Sequence, residues 1–335
     1  MASLKTSRNT IPLLRPDLTE QDWAVMDRQW GLAPFSDDDG VRYWEGMWSR
    51  IWERRAIVFS DAVDAVRALK TGMGWRDGVC VATGTDLHPA WREGCEQAWI
   101  RLVYHDVDPQ STPIFPDSSG YSGVWVGHHY GRPVLPPKGP GLVVEDVSST
   151  PLPLPTTGQG DVQLMVLDGN AMIQGGGAVV ILCRDSGLAT RIAQARATLP
   201  SALMVALGIS QLKQSELLMA RRAVLADRYL ALRTGGWFAK PEKPATGRYW
   251  PGFYLLFNDE GRKEGLRQFL ARGGILSASP WPYTFPEVCD MHWRRRLETL
   301  GLALPLYASL SDAEQKHIIN RIHRWVNRGG PAVEA

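Results

Sequence analysis

The sequence predicts an α/β protein in which a mainly parallel sheet is followed by a smaller α+β domain. Short apolar runs alternate with helical patterns over the first two thirds of the chain, as where residues 56–59 lead into a helix from Ala62. Such alternation is typical of βαβ units, whose strands run parallel. The pattern changes at Gly235-Gly236. We therefore expect a large domain over residues 1–235 and a small C-terminal domain over residues 236–335.

Composition is consistent with this size and excludes several classes of function. The chain has 335 residues, of which 44% are hydrophobic and 21% charged, so a large core can form without a metal or disulfide. With 37 basic and 35 acidic residues the net charge is +2, which gives no general attraction to nucleic acid or to anionic membranes. No apolar run reaches membrane-spanning length, the N-terminus has no apolar signal core, and the four cysteines are far apart. We expect a cytoplasmic protein with reduced cysteines.

The elements follow from apolar runs and helical spacing. The predicted strands of the large domain are residues 56–59, 79–82, 102–104, 124–126, 142–146, 164–167 and 178–183. The predicted helices are one that begins after Thr19, residues 41–54, residues 62–70, one that ends at Ala98, and residues 205–232. In the small domain we predict a strand at residues 253–257 and helices at residues 262–272 and 315–326.

Three tryptophans mark the second of these helices. Trp44, Trp48 and Trp52 recur at a spacing of four residues, which places them on one helical face. Such a stripe is more typical of a core or a subunit interface than of a ligand platform.

The stretch from residue 161 to residue 185 has the composition of a functional loop between two strands. Asp168-Gly169-Asn170 and the triplet Gly175-Gly176-Gly177 separate the two apolar runs. Glycine permits positive φ and close approach of the backbone to a neighbour. No lysine occurs between Lys138 and Lys213.

No short motif assigns a chemistry. The chain lacks a GxGxxG that follows a strand, a GxxxxGK[ST] phosphate loop, GxSxG, HExxH and zinc-ligand spacing, so no metal site is predicted. Candidate residues come instead from the ends of predicted strands, where open α/β sheets carry their sites. Glu145-Asp146 ends one strand, and His128-His129-Tyr130 follows another as a candidate substrate cleft.

Several segments together resemble the DegT/DnrJ/StrS group of nucleotide-sugar aminotransferases. The most specific is residues 206–212 with residues 220–229, which is similar to the group's "AALGLAQL…RR…A..Y" helix. The others, in order, are residues 11–16, 107–109, 129–131 and 304–315. Their order and spacing hold over the whole chain.

The resemblance implies a fold and a cofactor. It implies an aspartate aminotransferase-like, fold-type-I structure with a three-layer large domain, pyridoxal phosphate (PLP) as cofactor and a homodimer that acts on nucleotide sugars. Asp146 then matches the carboxylate that faces the pyridine nitrogen and keeps the ring protonated. His88 falls on a ring-stacking aromatic, and Ser149 on a His or Gln of the group.

Three departures from the group's pattern concern the cofactor itself. The phosphate-binding "SGT" at a helix N-terminus becomes Ser60-Asp61-Ala62, where an aspartate opposes a phosphate dianion. The partner-subunit "NYR" segment aligns near residues 197–199, without its Asn and Arg. The Schiff-base lysine falls on Gly169 or Asn170, neither of which can form an imine.

These losses predict a degenerate aminotransferase homologue that binds no PLP covalently and acts as a binding, regulatory or partner subunit in sugar or polysaccharide biosynthesis. A homodimer is expected, or a hetero-oligomer with an intact aminotransferase, with a nucleotide sugar as a possible ligand and no nucleic acid or membrane partner.

Two alternatives stay open at the level of sequence. The first is an enzyme with altered chemistry in the same cleft, with Asp146, His88, His128 or His129 as acid–base groups. The second is a PLP-dependent aminotransferase with a displaced lysine, for which Lys70, Lys138 and Lys240 are the candidates.

Overall fold

The computed structural model describes residues 10–30, 38–85, 87–108, 113–115, 120–136, 141–243, 247–280 and 291–330. Its helices are α1 (Glu20–Trp30), α2 (Asp38–Trp52), α3 (Ala62–Met73), α4 (Pro89–Gln97), α5 (Ser186–Ala195), α6 (Ala202–Lys213), α7 (Ser215–Leu230), α8 (Glu260–Ala271), α9 (His292–Leu300) and α10 (Asp312–Asn327). Its strands are β1 (Arg55–Phe59), β2 (Cys80–Gly84), β3 (Arg101–His105), β4 (Gly123–Gly127), β5 (Leu142–Asp146), β6 (Val162–Leu167), β7 (Ala178–Cys183), β8 (Phe238–Ala239), β9 (Phe253–Phe257) and β10 (Gly301–Leu304). No helix within the described ranges is both long enough and apolar enough to cross a membrane.

The large sheet confirms the predicted α/β class. Its strand order is β1-β7-β6-β5-β4-β2-β3. The β2–β3, β2–β4, β4–β5 and β5–β6 pairs are parallel, whereas β7 is antiparallel to both β1 and β6. The carboxyl ends of β1, β2, β4, β5 and β6 therefore lie at one edge, and β7 ends at the opposite edge. This is the mainly parallel mixed sheet that the sequence predicts.

Alternate side chains of the strands build the two cores that give the domain its three layers. Val166 of β6 and Ile181 of β7 pack with α3, α4 and α5, whereas Leu167 and Leu182 pack on the other face with α2, α6 and α7. All six residues of β6 and of β7 are buried, as strands covered on both faces require. The carboxyl edge of the sheet is thus held between two helical layers.

A second, antiparallel sheet has the order β10-β9-β8 and its own core. That core includes the C-terminal half of α7, through Leu225 and Tyr229, and the arm residue Ile11, which bridges to Ile275. The boundary at residue 235 stays a prediction. The first half of α7 packs with the large sheet and its second half with the small one.

After β7 the structure differs from the sequence prediction at two points. Helix α5 was not predicted, although Asp185 caps it by accepting the Leu188 N–H. The single helix over residues 205–232 is in fact α6 and α7, which meet at Gln214. The Ser215 hydroxyl there donates to the carbonyl of Leu212 at 2.8 Å, a local bond that competes with a continuous helix.

The tryptophan stripe of α2 is a core feature, as its spacing indicates. Trp44 and Trp48 are fully buried and Trp52 is 6% exposed. The Trp44 indole lies against Gly208 of α6 so closely that a Cβ at residue 208 would overlap the ring. This explains why α6 has a glycine in the middle of a helix, where glycine costs stability.

We expect Gly208→Ala to lower the free energy of unfolding by about 1–3 kcal/mol, because the added methyl group displaces a buried indole. Gly46 is the matched control: it lies in α2, and a Cβ there meets nothing within 4 Å. We expect Gly46→Ala to raise the free energy of unfolding by about 0.5–1 kcal/mol through helix propensity. Urea denaturation of the two variants measures both effects, and equal effects would contradict this account of Gly208.

Candidate functional site

A cavity with a volume of about 210 Å³ lies at the carboxyl edge of the large sheet. Parts of the N-terminal arm, the large sheet and the small sheet line it together. The sequence-predicted site residues that line it are His88, His128, Tyr130, Asp146, Ser149 and Asn170. Those that do not are Ser60, Asp61, Ala62 and Gly169. The backbone of His129 begins a 3-10 turn, and its side chain lies outside the described part of the chain.

Asp146, the last residue of β5, is a buried carboxylate that is 4% exposed. Its Oδ2 accepts the backbone N–H of His88 at 2.9 Å. Its Oδ1 accepts the N–H and the hydroxyl of Ser148 at 3.0 and 2.5 Å. Three donors of the chain therefore already bind this carboxylate.

His88 and Asp168 form a pair in the same cavity, with Nε2 and Oδ2 3.5 Å apart. His88 caps α4, and its Nδ1 accepts the Ala90 N–H at 3.3 Å. Burial by itself raises the pKa of Asp168, but the hydrogen bond and charge of His88 and the N–H groups of Asn170 and Ala171 outweigh it and lower this pKa. Asp168 is therefore ionised at neutral pH.

Sequence reasoning did not name Asp168 as a site residue. It follows β6 directly, so the strand-end rule that selected Asp146 would also have selected it.

His128 lines the cavity but belongs to a second, fully buried pair. Its Nε2 lies 3.0 Å from Oε2 of Glu145, and its Nδ1 accepts the Val134 N–H at 3.0 Å. Burial raises the pKa of Glu145, yet His128 and the N–H groups of Gly160 and Gly158 outweigh burial and lower it. Both ring nitrogens of His128 are thus engaged within the protein.

Tyr130 forms a wall between the large and the small sheet. Its backbone adopts a left-handed conformation, with φ 45° and ψ 40°, which is uncommon for a bulky residue. The hydroxyl donates to the carbonyl of Pro280 at 2.6 Å, and the ring contacts Tyr254 edge-on at 5.0 Å. Backbone strain of this kind persists where its surroundings fix it, as the Arg248 guanidinium does by donating to the Tyr130 carbonyl at 2.5 Å.

The segment Ser60-Asp61-Ala62 lies where β1 ends and α3 begins. Asp61 caps α3, because its Oδ1 accepts the Asp64 N–H at 2.9 Å. The Ser60 hydroxyl donates to Oδ2 of Asp61 at 2.9 Å and lies 2.6 Å from the Thr198 hydroxyl. Two donors at this helix end, the Asp64 N–H and the Ser60 hydroxyl, are therefore directed at groups of the chain itself.

A second carboxylate, that of Asp64, binds a distant segment of the chain at the same helix end. Asp64 accepts the N–H of Ala197 and the N–H and hydroxyl of Thr198, at 3.0–3.2 Å. The segment that aligns with the partner-subunit "NYR" residues is thus held against α3 of its own chain.

Gly169 is exposed in the loop after β6, and a Cβ there meets nothing within 4 Å. The glycine triplet makes the turn into β7: Gly176 and Gly177 have φ of 65° and 93°, and the N–H groups of Gly175 and Gly177 bind the Leu167 carbonyl. The glycine triplet thus forms the turn, and space is open around Gly169, one of the two positions expected for the lysine.

The candidate replacement lysines lie elsewhere. Lys70 donates to Asp77 and to the Ala98 carbonyl, and Lys240 donates to the carbonyls of Leu230 and Leu232 at the end of α7. Neither lines the cavity, and Lys138 lies outside the described residues. Within the described residues, no group of three or more His, Cys, Asp or Glu side chains is placed to hold a metal ion.

No protein-family model and no curated protein matches the sequence. Solved structures do match. A DegT DnrJ EryC1 StrS aminotransferase from Brucella abortus is 16% identical, with a TM-score of 0.78, over 91% of this chain and 95% of that one. PseC of Helicobacter pylori, an aminotransferase involved in pseudoaminic acid biosynthesis, is 13% identical, with a TM-score of 0.78, over 96% and 100%. NtdA of Bacillus subtilis, solved with its cofactor PMP, is 18% identical, with a TM-score of 0.80, over 95% and 86%.

These likenesses establish the fold. The chain has the α/β fold of PLP-dependent sugar aminotransferases over nearly its whole length, which confirms the predicted fold class. At identities below 20%, activity has to be argued from the site.

Proposed function

We propose that this protein is a degenerate sugar-aminotransferase homologue without PLP-dependent transaminase activity, which acts as a binding or partner subunit in sugar or polysaccharide biosynthesis. The observation that carries the proposal is Gly169, an exposed glycine where the imine-forming lysine is expected. Neither residue that the resemblance places at the lysine position, Gly169 or Asn170, can form an imine.

The phosphate end of PLP fits the chain no better than its aldehyde end. A phosphate at a helix N-terminus binds to free N–H groups and hydroxyls. At α3 the Asp64 N–H and the Ser60 hydroxyl donate to Asp61 instead. A phosphate there would displace one carboxylate and face a second, Asp64. The residues present therefore do not fit the cofactor.

The bonding within the cavity favours binding over acid–base catalysis. A general acid or base must present a group to the substrate within hydrogen-bond reach. Each ring nitrogen of His88 and His128 is engaged with another group of the chain. The Tyr130 hydroxyl and the Asp146 carboxylate are engaged as well. These groups are thus already bound within the chain, where they stabilise the walls of the cavity rather than face a substrate.

We propose a homodimer as the assembly, as is usual for aminotransferases of this fold, and a hetero-oligomer with an intact aminotransferase as the alternative. We place the protein in the cytoplasm, where thiols stay reduced. The described cysteines Cys80, Cys95 and Cys183 are free.

The decisive measurement is a PLP titration of the purified protein. We expect no saturable internal-aldimine absorbance band, because no lysine lies at the loop after β6. Any pyridoxyl group fixed by borohydride should be scattered over surface lysines when the digested protein is mapped by mass spectrometry. A stoichiometric band on one lysine would contradict the proposal and identify the displaced nucleophile.

A further inference from the structure

The helix end described above indicates which ligands the cleft selects. Helix α3 begins at the carboxyl edge of the sheet, the edge at which the cavity lies. Its first-turn N–H of Asp64 and the neighbouring Ser60 hydroxyl bind to Asp61, and the Asp64 carboxylate binds the segment at residues 197–198. Two carboxylates of the chain thus occupy the part of the fold where an anion would be bound.

The lining of the cavity is unfavourable to anions as well. Among the described residues that line it, the charged side chains are Asp146 and Asp168, and none is Lys or Arg. His88 lies between the two carboxylates: its backbone N–H donates to Asp146, and its ring Nε2 lies beside Asp168. Its Nδ1 accepts the Ala90 N–H and its Nε2 faces Asp168, so neither ring nitrogen is directed at an anion in the cavity.

The rest of the lining is apolar or uncharged. Apolar surface comes from Leu13 and Leu14 of the arm, Val166 of β6, and Leu304 and Leu306 of the small domain. A volume of about 210 Å³ is below the usual range for drug-sized ligands, so it suits a small molecule.

We infer that the cleft binds a small, largely apolar molecule that carries no phosphate and no net negative charge. Asp146 and Asp168 line the cleft, and Asp61, outside the lining at the same edge of the sheet, binds the Ser60 hydroxyl and the Asp64 N–H that a phosphate would need. The inference rests on the proposed function, because it takes the cleft to be a binding site without PLP. It replaces the expectation of a nucleotide sugar in this cavity.

A matched pair of probes tests the inference without any imine. Pyridoxamine and pyridoxamine 5′-phosphate share a ring and an amine and differ only in the phosphate. By isothermal titration calorimetry of the full chain, we expect pyridoxamine to bind at least about tenfold more tightly than its phosphate. Equal or tighter binding of the phosphate would overturn the inference, as would binding of neither probe. Because neither probe needs a lysine, these outcomes are independent of the aldimine measurement.

Two variants of helix N-cap residues test whether Asp61 is the group that disfavours phosphate binding. Asp61→Gly removes the carboxylate at α3, and we expect it to tighten binding of pyridoxamine 5′-phosphate at least about tenfold while pyridoxamine is unchanged. Asp185→Gly is the matched control, because Asp185 caps α5 in the same way but follows β7, at the opposite edge of the sheet. If Asp61→Gly changes phosphate affinity no more than Asp185→Gly does, Asp61 does not exclude phosphate.

Discussion

Arg222→Ala is expected to lower the free energy of unfolding by about 3–5 kcal/mol, because it leaves a buried carboxylate without its counter-charge. Arg222 of α7 and Asp17 of the N-terminal arm are both almost fully buried, with Nη2 and Oδ2 2.6 Å apart. Burial lowers the pKa of Arg222, and the charge of Asp17 and its hydrogen bonds oppose that effect. The ion pair therefore offsets part of the cost of burying the guanidinium in this core.

The pair also joins four segments of the chain: the arm, α7, residues 250–251 and residues 306–309. Nη1 of Arg222 donates to the carbonyls of Trp250, Pro251 and Leu306. The Asp17 carboxylate accepts the N–H groups of Ala308 and Ser309, both at 2.8 Å. Loss of Arg222 would thus free two buried carbonyls, one half-buried carbonyl and one buried carboxylate, and a buried polar group costs free energy when it is unpaired.

The neighbouring Arg221 provides the control. It donates to Asp312 at 2.8 Å at the protein surface, where Asp312 is 66% exposed. We expect Arg221→Ala to cost at most about 1 kcal/mol, the usual limit for exposed pairs. Urea denaturation of both variants and of Asp17→Ala, with the double variant Asp17→Ala/Arg222→Ala, measures the coupling. Equal destabilisation by the two arginine variants would refute the argument.

This pair illustrates what sequence could and could not predict. Arg221 and Arg222 entered the family resemblance together, and the local sequence pattern does not indicate that one is exposed and the other buried. Asp17 lies 205 residues from Arg222, and only the packing of the arm against α7 brings them together. Long-range polar partners of this kind are set by tertiary structure, whereas strands and helix faces follow local periodicity.

The secondary-structure elements show the same contrast between what local periodicity predicts and what tertiary packing decides. Buried strands such as β6 and β7 were predicted because covered strands are continuously apolar. Helix α5 was missed although its start signal was present: Asp185 is an N-cap residue followed by a short helix that contains Gly187 and Thr190. Small and β-branched residues weaken the helical pattern, and burial of Leu188 and Ile192 against the sheet supplies the stabilisation instead.

At the site, His88, Asp146, Ser149 and Asn170, which the strand-end rule and the family resemblance singled out, line one cavity. They could not predict the pairing of His88 with Asp168, which lies 80 residues further along the chain. The sequence also indicated that Asp61 opposes a phosphate. That Asp64 fixes Thr198 against the same helix end depends on the packing of two distant segments.

Introducing a lysine at residue 169 is expected to produce an aldimine. Unlike the aminotransferases, which use PLP, the variant should form it more readily with pyridoxal than with PLP. A Cβ at Gly169 meets open space, and the residue needs no positive φ, so Gly169→Lys should fold. We expect the variant to form a saturable, borohydride-reducible band with pyridoxal at least about tenfold more readily than with PLP. The reason is that Asp61 and Asp64 still oppose the phosphate.

A second substitution should reverse that preference. Glycine in place of a capping aspartate costs only a few tenths of a kcal/mol, so Asp61→Gly/Gly169→Lys should remain folded. Without the Asp61 carboxylate, the Asp64 N–H and the Ser60 hydroxyl become available as donors for a phosphate. We therefore expect the double variant to favour PLP over pyridoxal in a spectrophotometric titration.

The control for the lysine itself is Asn170→Lys. Gly169 and Asn170 are the two residues that the alignment allows, and only Asn170 lines the cavity. If only one of the two lysine variants forms the band, that residue is the position from which a lysine reaches the cavity. If neither variant reacts with pyridoxal, the prediction is wrong. The bonding of Asp146 and Asp168, whose carboxylates each already accept hydrogen bonds from the chain, would then be what keeps an aldehyde from the lysine.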